Sequence, residues 1–211
     1  MNPTDRYTDD ELRANEAVCR WLAHIFDEPI PIPGDEYVRN LADVVPALFD
    51  LSNAGSEGIA SLGKFLEEVK RSTDLAALQQ KLAVDRTALF RGVSEEGVRP
   101  PYEDFYRAAG EGGMTALVKL MREAGIGPSE GNRERVDYLG NELALSAYLC
   151  RQALDAEQGA NINETQHLLE ELLEDHLRLW APRYCEAALP FAQTSFFRGF
   201  LLILKEYFSG E

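Results

Sequence analysis

The sequence predicts an all-α protein, a bundle of roughly eight to ten helices in two subdomains joined by a hinge. Three observations predict it. Apolar residues recur at three- and four-residue steps along most of the 211-residue chain. No segment shows the period-2 alternation of Val, Ile and Thr that a half-buried strand requires. Gly, Pro and small polar residues fall where helices should begin and end.

The elements follow in order. Thr8-Asp-Asp-Glu11 has the spacing of a capping box and opens a first helix carrying Leu12, Val18, Cys19, Leu22, Ile25 and Phe26. Glu28-Pro-Ile-Pro-Ile-Pro-Gly34 is a turn, because each Pro lacks an N–H and restricts its predecessor. Tyr37 to Leu51 is helical again, with a kink or break at Pro46. Ile59, Leu62, Phe65, Leu66 and Val69 form a third stripe. Thr73 caps a fourth helix through Leu75, Leu78, Leu82, Leu89 and Phe90, which Gly92 stops. Arg91 to Asp104 is a long loop, and Met114 to Glu123 a short helix ending at Gly125.

The stretch Gly125-Ile-Gly-Pro-Ser-Glu-Gly-Asn132 is the best linker. It divides the chain into an N-terminal subdomain, residues 1–128, and a C-terminal one, residues 129–211. Beyond it, Val136, Leu139, Leu143, Leu145, Leu149 and Leu154 mark a long helix that stops near Gly159. Asn163 caps the next, through Leu168, Leu169, Leu172, Leu173, Leu177 and Trp180. Pro182 sits in the first turn of a further helix, which Pro190 interrupts. Thr194 restarts helix through Phe197, Phe200, Leu201, Leu204 and Phe208.

Charge narrows the function. Lys and Arg number 21 and Asp and Glu 36, a formal net charge of −15. A field of that sign repels phosphate backbones and attracts a basic peptide, so no nucleic-acid partner is expected. Cys19, Cys150 and Cys185 are odd in number and widely spaced, as in a reducing compartment where each thiol is a small buried hydrophobe. The acidic start, Met1 to Asp10, is no secretory signal, and Phe196 to Phe208 is too short and too charged to span a bilayer. A soluble cytoplasmic protein without integral membrane contact is expected.

Catalytic parts are few. Glu164-Thr-Gln-His167 has the Glu-x-x-His spacing of di-iron bundles, but neither His24 nor His176 supplies a second copy. No metal and no cofactor is therefore expected. No nucleophile elbow, phosphate-binding loop or His-Glu-x-x-His occurs. Gly110-Glu-Gly-Gly113 reads as a flexible helix entry, and the acidic run Glu170, Glu171, Glu174 and Asp175 as a solvated face, with a platform for a cationic peptide as the functional alternative. Two clusters remain. Leu89-Phe90-Arg-Gly92 with Pro100-Pro-Tyr-Glu-Asp-Phe-Tyr106 can line an apolar groove, although ordinary core is the reading its chemistry favours. Glu134-Arg-Val-Asp137-Tyr138 precedes Glu142; on one helix Asp137 and Glu142 would diverge by about 140°, so they are no paired-carboxylate site. Asp137 then favours the helix N-terminal turn.

In this order the clusters resemble the TorD/DmsD-like chaperones, cytoplasmic proofreading proteins of molybdoenzyme maturation. Leu89-Phe90-x-Gly92 and Pro101-Tyr-Glu-Asp-Phe-Tyr106 are similar to the family's groove and its Pro-x-x-Ser-Val-Tyr-like element. Asp137-Tyr-Leu-Gly-Asn-Glu142-Leu143 stands where the family has Glu-Pro-Asp-His followed by a Glu-Leu-x-Phe helix. Leu173-Glu-Asp-His176-Leu-Arg-Leu-Trp180-Ala-Pro182 is similar to its His-Leu-x-x-Trp-x-Pro segment. The resemblance covers roughly residues 75 to 208.

The resemblance implies a non-enzymatic chaperone. It would bind the twin-arginine signal peptide, the apo form of a molybdopterin oxidoreductase, or both, before cofactor insertion and export. Contact with the export machinery would be transient, and the protein a monomer or a domain-swapped dimer. The implied peptide-binding set is Leu89, Phe90, Gly92, Pro101, Tyr106, Asp137, Tyr138, Glu142, His176 and Trp180. Asp137 takes the place of the hinge-motif Asp. The sequence departs from the family at Val136 and Tyr138, which replace the Pro and His of Pro-Asp-His, and at Asp104, which replaces Ser. Tyr cannot carry the charge His carries near neutral pH, which leaves nucleotide binding open. The competing readings are a nucleotide-binding or weakly hydrolytic helical enzyme and a structural subunit of a redox complex.

Overall fold

Helices occupy most of the structure, a computed structural model that describes residues 7–27, 56–92, 97–107, 113–127, 134–156 and 160–209. Helix α1 spans Asp9–Asp27, α2 Ser56–Arg71, α3 Leu75–Arg91, α4 Glu103–Tyr106, α5 Gly113–Glu123 and α6 Leu139–Asp155. Helix α7, Ala160–Leu172, runs through a π turn, Leu173–Leu177, into α8, Arg178–Ala188. A 3-10 turn, Leu189–Phe191, precedes α9, Ser195–Ser209. Among the described residues there is no strand; Tyr102 and Tyr138 form an isolated antiparallel bridge. The fold is an all-α helical bundle. The expected turn at Glu28–Gly34 and the expected helix at Tyr37–Leu51 lie outside the described residues.

Local rules explain most boundaries. The capping box at α1 is present: the Thr8 N–H donates to Glu11 Oε2 at 2.7 Å, and the Glu11 N–H donates to Thr8 Oγ1 at 3.3 Å. The Thr8 N–H and the Thr8 hydroxyl, which also donates to Glu11 Oε2 at 2.8 Å, hold the Glu11 carboxyl below its usual range. Gly92, at φ 59°, ends α3 in the left-handed region that favours glycine, and Gly125, at φ 73°, follows α5. Thr194 caps α9 by accepting from the Phe197 N–H at 3.3 Å.

Four boundaries differ from expectation. Asp74, not Thr73, caps α3, its carboxylate accepting from the Ala77 N–H at 2.9 Å. Asn163 lies inside α7, which begins at Ala160. Val136 lies in the turn before α6, which the Tyr138 N–H closes by donating to the Arg135 carbonyl at 3.1 Å, and the extended Tyr138 delays the helix to Leu139. Pro182 lies within α8, in a helix already continuous from Ala160, so it begins nothing. It withholds the N–H that the Arg178 carbonyl would otherwise accept.

The chain folds into two compact units, and each takes two stretches of sequence. One comprises Met1–Asp27 and Tyr102–Trp180, the other Glu28–Pro101 and Ala181–Glu211. This grouping differs from a cut at residues 128 and 129: α1 packs on α6, far beyond that cut, and α6 on α7. In the other unit α9 packs on α2 and α3. Phe65 meets Phe196 edge-on at 5.1 Å, and Phe90 meets Phe197 edge-on at 5.6 Å. Cys19, Cys150 and Cys185 are buried free thiols, and burial pushes the Cys150 and Cys185 thiols far up.

A buried carboxylate fixes the entry to α9. Asp85, on α3, accepts from the Gln193 N–H at 3.1 Å, the Thr194 N–H at 2.8 Å and the Thr194 hydroxyl at 2.6 Å. Asp85→Ala removes the acceptor from three donors and should lower stability by on the order of 3 kcal/mol, read as a shift of the urea midpoint. Asp85→Asn keeps one oxygen and should lose less.

Candidate functional site

The polar centre of the first unit is assembled from α4, the turn before α6, α6 itself, the π turn and the start of α8. Glu103, Asp137, Glu142 and His176 are all buried there, none above 1% exposed. Burial without partners would cost each carboxylate several kcal/mol, so the partners define the site.

Glu103 forms a salt bridge with Arg107, the residue just after α4. Its two oxygens lie 3.0 and 3.1 Å from His176 Nδ1, which donates to the carboxylate. Its backbone N–H donates to the Asp137 carbonyl at 2.9 Å, closing the bridge. Gly113 packs against the carboxylate so closely that a Cβ there would stand 2.5 Å from Glu103 Oε2. Only glycine lets α5 begin at that point.

Glu142 lies alongside. Its Oε2 accepts from the Trp180 indole N–H at 3.1 Å, while Oε1 has no hydrogen-bond partner among the described residues. Burial, reinforced by the nearby charge of Glu103, raises its carboxyl well above the usual range. One ligating atom each of Glu103, Glu142 and His176 lies within 4.8 Å of the others. Two carboxylates and an imidazole are a donor set for a divalent ion. Arg107 and Trp180 already engage the two carboxylates, so the cluster works as a hydrogen-bonded core. His176 reaches it from a π turn, a distortion common at functional sites.

A second constellation reaches the surface. Asp137 is held by Arg135, whose Nε donates to Oδ1 at 2.9 Å and whose Nη2 donates to Oδ2 at 2.7 Å. The same Nη2 pairs with Asp104. The guanidinium lies over the Tyr102 ring, 5.1 Å from its centroid, and the Tyr102 hydroxyl donates to Glu134 at 2.6 Å. Burial pushes the Asp137 carboxyl up, and the charge and hydrogen bonds of Arg135 pull it back. Asp137 therefore does not cap α6; its side chain holds an arginine. It is also not on the helix with Glu142, so the 140° divergence does not apply.

The sequence-derived binding residues divide between the units. Tyr106, Asp137, Tyr138, Glu142, His176 and Trp180 lie in the first, where Tyr106 stacks on Trp180 at 6.2 Å and Tyr138 meets Tyr102 at 5.5 Å. All but Tyr106 are buried. Leu89, Phe90, Gly92 and Pro101 lie in the second. There Phe90 is core, the Leu89 carbonyl accepts from the Tyr184 hydroxyl at 3.4 Å, and Gly92 abuts Pro100. Sequence reasoning missed Glu103, Arg107, Arg135 and Tyr102 as site members. Arg135 carried a signal, standing two residues before Asp137 in a cluster already singled out. Glu103 stood in the other cluster singled out, residues 100–106, but nothing local pointed to its partner 73 positions away.

The raised Glu142 carboxyl has a signed consequence. A group with a raised folded pKa favours the fold below its unfolded value, about 4.3, and that contribution is lost as pH rises through the folded value. Glu142→Gln mimics the protonated form. Its thermal midpoint should match the wild type near about pH 4 and exceed it near about pH 9.

Among the described residues no helix is long and apolar enough to cross a membrane. Residues 50–186 match the family described as nitrate reductase delta subunit. The chain is also 24% identical over 143 residues to "Chaperone protein TorD" of Vibrio parahaemolyticus, covering 65% of this chain and 65% of that protein. The chain thus spans just under two thirds of the length of the curated relative it matches. The family match runs over well more than half of the chain and takes in α2 to α7, the π turn and most of α8, and so both polar constellations. On that match, the chain belongs to the nitrate reductase delta subunit family, and it is TorD-like.

Proposed function

We propose that the protein is a cytoplasmic maturation chaperone for a redox enzyme and performs no catalysis of its own. The observation that carries this reading is the family match over residues 50–186, supported by the similarity to a TorD chaperone. The client is an apo molybdopterin oxidoreductase recognised through a signal peptide with two adjacent arginines ahead of an apolar segment. The net charge of −15 supports the attraction, and apolar contact supplies most of the area.

Differences in burial support different work for different sequence-derived residues. Glu142, His176, Trp180 and Tyr138 shape the surface from beneath. Asp137, Asp104 and Tyr102 are the groups that meet an arginine. Leu89, Phe90, Gly92 and Pro101 build the core and loop of the other unit, where truncating Phe90 acts first on stability.

Calorimetry with a peptide of two adjacent arginines ahead of an apolar segment, and with its Lys-Lys counterpart, tests the reading at low and physiological salt. The arginine peptide should bind more tightly at both, since Lys keeps the charge but lacks the planar fork. Asp137→Ala should cost about 2–5 kcal/mol of binding, while Glu174→Ala on the exposed acidic face should change chiefly the salt dependence. Circular dichroism confirms that each variant is folded. Equal binding of both peptides, abolished by salt, removes the reading.

The family's description favours a second reading, a structural subunit of a redox complex. Stoichiometric co-purification with the mature enzyme, rather than with its apo form, would select it.

A further inference from the structure

We propose that Asp137, Asp104 and Tyr102 form a guanidinium receptor, and that Arg135 occupies it as an internal stand-in which an arginine of the client must displace. This deepens the chaperone reading and rests on it for the identity of the incoming ligand.

The receptor has the features that distinguish a guanidinium from an ammonium. Arg135 Nε and Nη2 bond the two oxygens of Asp137 at 2.9 and 2.7 Å, the fork-to-fork geometry that Lys cannot reproduce. Asp104 supplies a second carboxylate on the Nη2 edge. The Tyr102 ring supplies an aromatic face 5.1 Å from the guanidinium carbon. Glu134 accepts from the Tyr102 hydroxyl at 2.6 Å and so anchors that ring.

Receptor and occupant are exposed unequally. The Asp137 side chain is 0% exposed, that of Arg135 41%. The carboxylate is thus built into the fold, while the cation approaches it from the solvent side. The Arg135 backbone is fixed independently: its carbonyl accepts from the Tyr138 N–H at 3.1 Å and from Asn141 Nδ2 at 2.7 Å. Rotation of the side chain alone therefore vacates the receptor. The exchange conserves charge, since one guanidinium leaves for water as another enters, and Asp137 is never left buried without a cation. Its cost is the loss of the internal pair, which a client arginine repays in kind and a lysine does not.

An internal ligand acts at a high effective concentration, so it lowers the apparent affinity of every competitor. Weak cationic peptides then fall below their working concentration, and only a ligand with further apolar contacts succeeds. Arg135 thereby sets a threshold against nonspecific attraction to an acidic protein.

The test is Arg135→Ala, with ethylguanidinium and ethylammonium as small probes and the paired-arginine peptide as the large one. The variant should bind ethylguanidinium saturably at one site where the wild type does not. Ethylammonium should not bind, and adding Asp137→Asn should abolish the site. The peptide should bind Arg135→Ala about tenfold or more tightly than wild type. Arg135 serving only to brace the turn predicts the opposite sign, weaker peptide binding, and that result in a folded variant overturns the proposal. A measurement on the wild type avoids dependence on the variant's folding. The Arg135 Nε–H signal should lose its protection from exchange when the peptide binds; peptide binding with that signal still protected overturns the proposal while leaving the chaperone reading intact. Ethylguanidinium binding to Arg135→Ala without peptide binding to either protein upholds the receptor and removes the chaperone reading's peptide.

Discussion

The first unit depends on keeping the Glu103 carboxylate out of water. It sits on a four-residue helix that has no stability of its own, since so short a segment fixes its backbone for almost no hydrogen bonding. The partners of the carboxylate supply what the helix lacks. Arg107 and His176 engage it, and the Glu103 amide reaches the Asp137 carbonyl. One residue, by its side chain and its amide, thus ties together a short helix, the π turn and the turn that starts α6. Gly113 extends the constraint, because any side chain there would collide with the carboxylate.

Glu142 shows the other face of the same electrostatics. One of its oxygens lies within 4.8 Å of Glu103, and two negative charges that close are unfavourable away from water. Burial and the charge of Glu103 raise the Glu142 carboxyl well above its usual range, and Trp180 donates to one of its oxygens. The indole is in turn covered by Tyr106. Glu103, Glu142 and His176 therefore lie in the fold as a buried, partnered cluster. What reaches solvent is the neighbouring constellation of Asp104, Arg135 and Tyr102, placed by Asp137, whose carbonyl serves the first site and whose carboxylate serves the second.

The second unit solves a parallel problem with a single anion. Asp85 collects the donors of the turn ahead of α9, so a break imposed by Pro190 and the 3-10 turn is tied back to α3. Phe90 and Phe197 then pack edge-on within the same unit. In both units a buried carboxylate holds an irregular segment against a helix, and the aromatic rings fill the space around it.

The sequence by itself determined what depends on neighbours three or four residues apart. The all-α class, the Thr8–Glu11 box, the Gly92 stop and the Thr194 cap were legible because helix periodicity and capping are local. Thr73 and Asn163 were misplaced by a residue or a turn for the same reason: Asp74 competes as a cap beside Thr73, and Asn163 fits a helix interior once tertiary contacts extend α7. The grouping of α1 with α6, the continuity of α7 into α8 across Pro182, and the convergence of Glu103, Glu142 and His176 were decided only by the tertiary structure. Those depend on which apolar faces find each other and on which buried charges find partners. Pairing across 73 positions leaves no periodic trace in the chain, because its free energy comes from excluding water around groups that the sequence keeps far apart.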